Sequence, residues 1–569
     1  MKVFITDETY KASTELFTIL PQSRQHFTAC RNSTAAFQLL LYTGKRSHFT
    51  LDTQFSIPDD IDTPIYRIAI ESDLPVNASF VEYYTGARDL AYADKLIETR
   101  SYTYAGDRFA PIFIELPIDT VCPVGDYPVE ITIYQAGITT EEQPIYQETV
   151  SVTVDEFTFV SKVATAFNLD IWQQPSNLAR TFQVPLWSSE HFELIKEMAQ
   201  SLAVLGQKAI TVIVGEIPWK GWFNYIVKDY PANLYEYSMV RVFKSKQGQI
   251  HCDFSILERY LKCFFEAGID QEIDIFGLLG VWQPPFFPLN KAVEHPEKLV
   301  IRYQDETTKT MNFLTAKADL HSYLQQVFVY FKEKGLWEKV RILADEPKAH
   351  EIEQFQKAVK ILKAIEPTLQ LKVALDKEPV REALLTDIDY PVTSYYCTCK
   401  NYQQLNQHYP GKTQYYICNY PDKPNTFLHS SLTESRVQGL LAYYFKTNGM
   451  LRWAYNCWPV NVREDIRYNT ASLPIGDMCL IYPSTSGHLL LSLRYKQLYR
   501  GIEDFYLLKQ ATKTDALAVD RLVVEFLGER DSKKWMLDSH QACSELFCQE
   551  YQNYELLRKK LIEIIDKKK

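Results

Sequence analysis

The chain has little concentrated positive charge. Beyond the terminal Lys567, Lys568 and Lys569 no Lys/Arg cluster stands out, and the formal net charge is −10. A nucleic-acid backbone is held by clustered cations, so nucleic-acid binding is disfavoured. No stretch approaches the roughly 18 uninterrupted apolar residues of a membrane span. The opening MKVFITDETYKAS lacks the apolar run of a secretory leader, which makes a cytoplasmic location the expectation. Metal-type cysteine spacing is missing too. The 11 Cys are scattered, Cys397 and Cys399 form C-x-C, and Cys543 and Cys548 lie too far apart for a metal knuckle. Buried free thiols are expected, and no His/Cys/Asp cluster has metal-ligand spacing. No G-x-S-x-G elbow is present, which excludes the common serine-hydrolase arrangement. No glycine-rich loop follows a strand, which weakens a nucleotide-binding reading.

Aromatic residues, in contrast, are abundant at 14%, with 37 Tyr, 31 Phe and 9 Trp. Core packing accounts for most of them, but rings are also what a protein needs to stack on sugar faces. At 569 residues the chain exceeds what one core can organise, so two or three domains are expected. Residues 1–152 read as short strands, such as 64–70 (PIYRIAI), 111–116 (PIFIEL) and 129–135 (VEITIYQ), separated by turn residues. After Val154 the pattern alternates. Strand-like 208–217, 272–279, 339–345 and 369–375 are interleaved with helix-like 188–206, 253–269, 318–335 and 351–365. Alternation of this kind builds parallel strands joined by crossover helices. The fold class expected is a multidomain α/β protein: an N-terminal β-sandwich over 1–152, a (β/α)8 TIM-like barrel over 153–512 and a C-terminal helical appendage over 513–569.

The strongest local site is VRILADEPK at 340–348, an apolar strand running into Asp345 and Glu346. Active sites of parallel barrels lie at the carboxyl ends of the strands. Two close carboxyls split their titration, leaving one protonated and one ionised near neutral pH. Successive residues of a regular strand point to opposite faces, so the strand must twist or bulge for both acids to share a pocket. Pro347 disfavours the right-handed helical region at Glu346, which predicts extended backbone there. A plain alternative is a helix start, with Asp345 as its N-cap and Glu346 in the first turn.

Several segments resemble glycoside hydrolase family 123. They are FNLDIWQQPSNLARTFQVPLWSSEHF (167–192), LGQKAITVIVGEIPWKGW (205–222), RILADEP (341–347), PNTFLHSS (424–431), GMLRWAYNCWPVNVREDIRYNT (449–470) and GDMCLIYP (476–483). The resemblance spans roughly residues 150–510. It implies a retaining exo-β-N-acetylgalactosaminidase with a β-sandwich ahead of a barrel, acting on an oligosaccharide or glycoconjugate. It also implies substrate assistance, in which the sugar's own 2-acetamido oxygen attacks C1 to form an oxazoline. Asp345 would then orient the acetamido group, while Glu346 would protonate the leaving oxygen and later activate water. Asn168 stands where the family usually has His, which motivates an alternative sugar specificity. A non-catalytic glycan-binding protein is the second alternative.

Substrate-binding candidates follow from their positions past strand-like runs. Trp458 is the better sugar platform and Trp453 the packing ring, if 449–458 is one regular strand. Asn456 shares the face of Trp458. Trp172, Trp219 and Trp282 are pocket-wall candidates with core packing as the plain alternative, and one of Tyr395 and Tyr396 is a candidate to meet the acetamido oxygen, with a structural hydroxyl as its alternative. Asn425, Asp465 and Asp477 are candidates for sugar hydroxyls, with an Arg463 or Arg467 salt bridge as the plain alternative for the acids. His191, in a helix opening, reads as structural.

Overall fold

The computed structural model describes residues 1–15, 20–51, 53, 56–86, 89–137, 140–160, 167–218, 235–279, 299–467, 473–528, 530–536 and 547–567. The N-terminal region forms two sheets, of five and six strands. Apolar residues alternate along Gly125–Gly137, where Val129, Ile131 and Ile133 are buried and their neighbours face outward. Rings meet between the sheets: Phe27 of the six-stranded sheet stacks on Phe37 of the other at 4.9 Å, and Tyr104 meets Phe80 edge-on. The Tyr104 hydroxyl also donates across the gap to Val81 O at 2.9 Å.

The second region is a ring of eight parallel strands: β1 (Asn168–Ile171), β2 (Ala209–Ile213), β3 (Glu272–Phe276), β4 (Val340–Asp345), β5 (Leu371–Leu375), β6 (Tyr390–Ser394), β7 (Gln414–Ile417) and β8 (Gly449–Arg452). Paired strands run in the order β1-β8-β7-β6-β5-β4-β3-β2, and a bridge between Leu169 and Gln207 nearly closes the ring. Strands such as AITVI and LKVAL are buried along their whole length, because parallel strands are covered on both faces. Crossover helices supply the outer cover. The helix Ser189–Leu205 begins where the Ser188 side chain accepts from His191 N and ends at Gly206, whose φ of 98° suits glycine. His191 is structural, as expected: it accepts from Trp187 N at 2.9 Å, and its Nε2 pairs with Pro175 O at 2.8 Å.

The barrel floor is ionic. Glu272 and Asp274 lie two apart on β3 and so face the same way, into the ring. Lys372 of β5 donates to Asp170 of β1 at 2.6 Å, to Glu272 at 2.5 Å and to Asp274 at 2.9 Å. An inserted four-stranded sheet contains Arg241–Lys244, Ile250–Asp253, Arg302–Asp305 and Met311–Phe313, none of which is marked as a strand by the sequence.

The helix Leu493–Leu527 runs through the expected boundary at 512, with one non-helical residue at Asp515. It crosses Gln438–Tyr444 at a pair of glycines. A side chain at Gly439 would meet Gly501 O at 1.8 Å, so only glycine lets the helices approach this closely. The last helix, Tyr551–Asp566, is more than an appendage. Arg558 reaches Glu503 at 2.8 Å and Asp504 at 2.5 Å, while Glu555 pairs with Arg24 of the N-terminal region. Asp94 of the N-terminal region pairs with Arg494 at 2.8 Å and Lys11 at 2.9 Å, and Tyr482 donates to it at 2.5 Å. Burial opposes its charge, but the two cations hold its carboxyl at about 2. Among the described residues no helix is long and apolar enough to cross a membrane.

Candidate active site

The pair Asp345–Glu346 sits at the carboxyl end of β4. Asp345 is still in register with Ala374 of β5, and the Glu346 amide continues the ladder to Ala374 O at 3.1 Å. The break that alternation demands comes at Glu346, whose φ is 44°. The expected extended backbone is therefore corrected. Pro347 keeps Glu346 out of the right-handed region, and the chain takes the left-handed one instead. The helix-start alternative is also set aside. The turn before Ile352–Ile365 is closed by Glu351, whose carboxylate accepts from Lys348 N at 3.0 Å, and neither acid of the pair caps it.

Tyr416 of β7 reaches across the ring mouth, and its hydroxyl donates to Glu346 Oε1 at 2.5 Å. Lys348 donates to Oε2 at 3.2 Å. Burial raises the proton affinity of both acids. For Asp345 the next cause is the charge of Glu346. For Glu346 it is Asp376, just past β5, opposed by Lys348 and Tyr416. The pair thus keeps a proton into the range where free carboxyls are ionised, which is what a general acid requires.

The other expected residues divide sharply. Trp453, just past β8, is only half-buried, and its indole donates to Asp477 Oδ2 at 3.0 Å. Trp458 is 1% exposed and donates to Ile481 O at 2.7 Å. Trp458 is thus a packed ring, contrary to expectation, and Trp453 is the more exposed of the two. β8 ends at Arg452, so the alternation used to orient residues out to 458 does not apply. Trp172 is buried against Phe276, and Tyr395 is buried beside Phe445, so neither offers a ring face to a sugar. Tyr396 is half-buried at the start of the helix following β6.

Asn425 is fully buried and donates to Cys418 O and Pro421 O at 2.9 and 2.7 Å, fastening the loop after β7. Asn456 is paired reciprocally with Gln174: it accepts from the Gln174 amide at 3.1 Å and donates to its carbonyl at 3.0 Å. Asp477 is buried between Trp453 and Arg452. These three are supports and not sugar contacts. Asp465 takes the plain alternative, bound by Arg467 at 2.7–3.0 Å. Asn168 is the first residue of β1, at the ring end opposite the acids, which removes it from the mouth. Trp219 and Trp282 lie outside the described residues.

Sequence reasoning missed Tyr416, Lys348 and Asp376 around the pair. Tyr415 and Tyr416 adjoin in the chain, and nothing in the sequence shows which of them meets the pair. It also missed Asp170, Glu272 and Asp274, whose carboxylate oxygens lie within 4.8 Å of one another, a spacing fit for a metal ion. Lys372 Nζ already sits among them, so an ammonium supplies the cation there.

The profile of the glycoside hydrolase 123 catalytic domain matches residues 172–511. The chain belongs to glycoside hydrolase family 123. It is accordingly a glycosidase by family, and a glycan is its substrate class. A family 123 glycoside hydrolase from Clostridium perfringens, whose structural analysis concerned glycolipid glycan hydrolysis, is similar in fold, with a TM-score of 0.72. The two share 16% identity over 99% of this chain and 97% of that one. An endo-β-1,6-glucanase aligns at a TM-score of 0.35 and 13% identity over 61% of this chain and 79% of its own. A family 5 glycoside hydrolase from Bacteroides vulgatus aligns at 0.32 and 10% identity over 61% and 68%. A search of curated proteins by sequence returned no match. Within family 123 the pair at the end of β4 falls inside the matched catalytic domain, as do Tyr416, Asp376 and Trp453.

Proposed function

We propose that this family 123 protein removes terminal β-linked N-acetylgalactosamine with retention, by a substrate-assisted route. The observation that carries the reading is that the two acids are chain neighbours on one strand end. A two-carboxylate retaining scheme needs acid and nucleophile on opposite sides of the scissile bond, about 5–5.5 Å apart. Neighbours on a single strand end approach a sugar from one side, which supports the substrate-assisted route that the family resemblance implies.

In the first step Glu346 gives its proton to the glycosidic oxygen as the C1–O bond breaks, and the acetamido oxygen closes on C1. Asp345 accepts from the acetamido N–H and offsets the positive charge of the forming oxazolinium. In the second step the Glu346 carboxylate takes a proton from water, whose oxygen opens the ring at C1. Glu346 is protonated again, and the sugar leaves with its original configuration. Trp453, the half-buried ring at the end of β8, is the sugar platform in this reading, with Asp477 holding its indole edge.

The test is hydrolysis of nitrophenyl β-GalNAc, β-GlcNAc and β-Gal. Release from β-GalNAc is expected, reduced about 10²–10⁴-fold in Glu346→Gln and about 10²–10³-fold in Asp345→Asn. Release from β-Gal at a comparable rate would sink acetamido participation, since that sugar has none.

A further inference from the structure

Asp376 is a third acid at the mouth to which the mechanism above gives no part. It follows β5 directly, two residues beyond Ala374, the residue in register with Asp345 and the acceptor of the Glu346 amide. Its main chain is fixed, since its carbonyl accepts from Ser394 Oγ at 3.1 Å and from Cys397 Sγ at 3.0 Å. Its carboxylate is different. Among the described residues its one ion pair is with the adjacent Lys377 at 3.2 Å, and Lys377 is itself 48% exposed. The fold therefore places this carboxylate without using it as a strut.

Facing the Glu346 carboxyl are Lys348 and Asp345 from its own strand end, Asp376 from just past β5, Tyr416 from β7, and Cys418 and Tyr420 from the loop after it. Lys348 and Tyr416 favour the ionised form by hydrogen bonds. Those two bonds work against holding the proton that a general acid must keep, while burial works for it. We propose that Asp376 is a positioning residue of the hydrolysis: its negative charge, one strand over from the pair, keeps the transferable proton on Glu346 until the leaving oxygen takes it. The inference rests on Glu346 being the general acid. Burial and Asp376, in that order, are the two largest causes that raise its proton affinity, which agrees with the geometry. The proton passes from Glu346 to the leaving oxygen and is replaced from water in the second step, so Asp376 itself exchanges nothing.

Two measurements test this. The first is the pH profile of kcat/KM for wild type, Asp376→Asn and Asp376→Glu on an aryl β-glycoside that the wild type cleaves. The alkaline limb should move to lower pH in the Asn variant and return in the Glu variant, which restores the charge. The second needs no turnover. The 13C resonance of the Glu346 carboxyl, assigned by its loss in Glu346→Gln, should titrate at lower pH in Asp376→Asn than in wild type. An unchanged carboxyl titration overturns the proposal, whatever happens to the rate. Equal loss of turnover at every pH in both Asp376 variants also overturns it, and makes Asp376 a substrate contact or a nucleophile. If the wild type cleaves no glycoside, the functional reading fails, while the carboxyl titration still decides what Asp376 does to its neighbour.

Discussion

Tyr416→Phe removes one atom from the site and gives a prediction with two independent signs. The hydroxyl donates to Glu346 Oε1 at 2.5 Å from a ring that is 4% exposed, so water does not readily replace it. Hydrogen bonds to charged groups contribute about 1.5–3 kcal/mol. Glu346 enters the first step neutral and leaves it as a carboxylate, so the Tyr416 bond strengthens as the reaction proceeds. Interactions that are stronger in the transition state lower the barrier. Full loss of 1.5–3 kcal/mol corresponds to a fall in kcat of roughly 10- to 150-fold. The second sign concerns pH. Tyr416 favours the ionised form, so its loss raises the proton affinity of Glu346. The acid stays loaded to higher pH, and the alkaline limb of kcat/KM moves up, opposite to the shift expected for Asp376→Asn. Steady-state kinetics from pH 4 to 9 on a nitrophenyl glycoside read both signs. A rate within twofold of wild type, or a limb that moves down, would show that Glu346 does not develop charge against this hydroxyl.

Two further predictions concern the scaffold. Lys372→Met leaves Asp170, Glu272 and Asp274 buried together without their ammonium. Breaking a buried ion pair costs about 3–5 kcal/mol, so the urea midpoint should fall by that amount divided by the m-value. An unchanged midpoint would mean the three acids are neutral in the native protein. Glu236, fully buried near Arg180, is pushed up to about 7 by burial, against the opposing effects of Arg180 and the Ser176 amide. Its unfolded value is about 4.3. Its contribution is therefore full below the unfolded value, declines as pH rises, and is lost above the folded one. Glu236→Gln should flatten the fall in stability between pH 5 and 8 by about 3 kcal/mol, read from urea unfolding at both pH values. A steeper fall in the variant would reverse the sign and exclude Glu236 as the titrating group.

Much of the architecture was legible because barrel strands carry a period of their own. AITVI, EIDIF and LKVAL alternate with helices whose caps, such as Ser188 and Gly206, are written into the chain. The place of the acid pair at a strand's carboxyl end was legible for the same reason. The partners of the pair were not. Tyr416 and Asp376 are distant in sequence from the pair, and only closure of the ring brings them near it. The inserted sheet was missed because its strands, RVFK, RYQD and MNF among them, are too short to show alternation.

The misassigned residues share one cause. Asn425, Asn456, Asp477 and Trp458 were placed at the mouth because they follow strands, and they do lie near strand ends, but one layer behind the surface. A mouth built from loops leaves many main-chain groups away from water, and each needs a partner. Asn425 answers two carbonyls, Asn456 and Gln174 answer each other, and Asp477 answers an indole and a guanidinium. Polar residues after barrel strands are thus claimed first by the loops themselves. Glu346 shows what remains when a residue is not claimed this way. A non-glycine residue with φ of 44° carries about 1–2 kcal/mol of backbone strain that glycine would relieve. Its carboxylate is held by the side chains of Tyr416 and Lys348 and, among the described residues, by no main-chain group, so it does not serve a loop as Asn425 does. A strained acid kept beside a second acid fits the proposed general acid, because the proton transfer would need the carboxyl whatever its backbone costs.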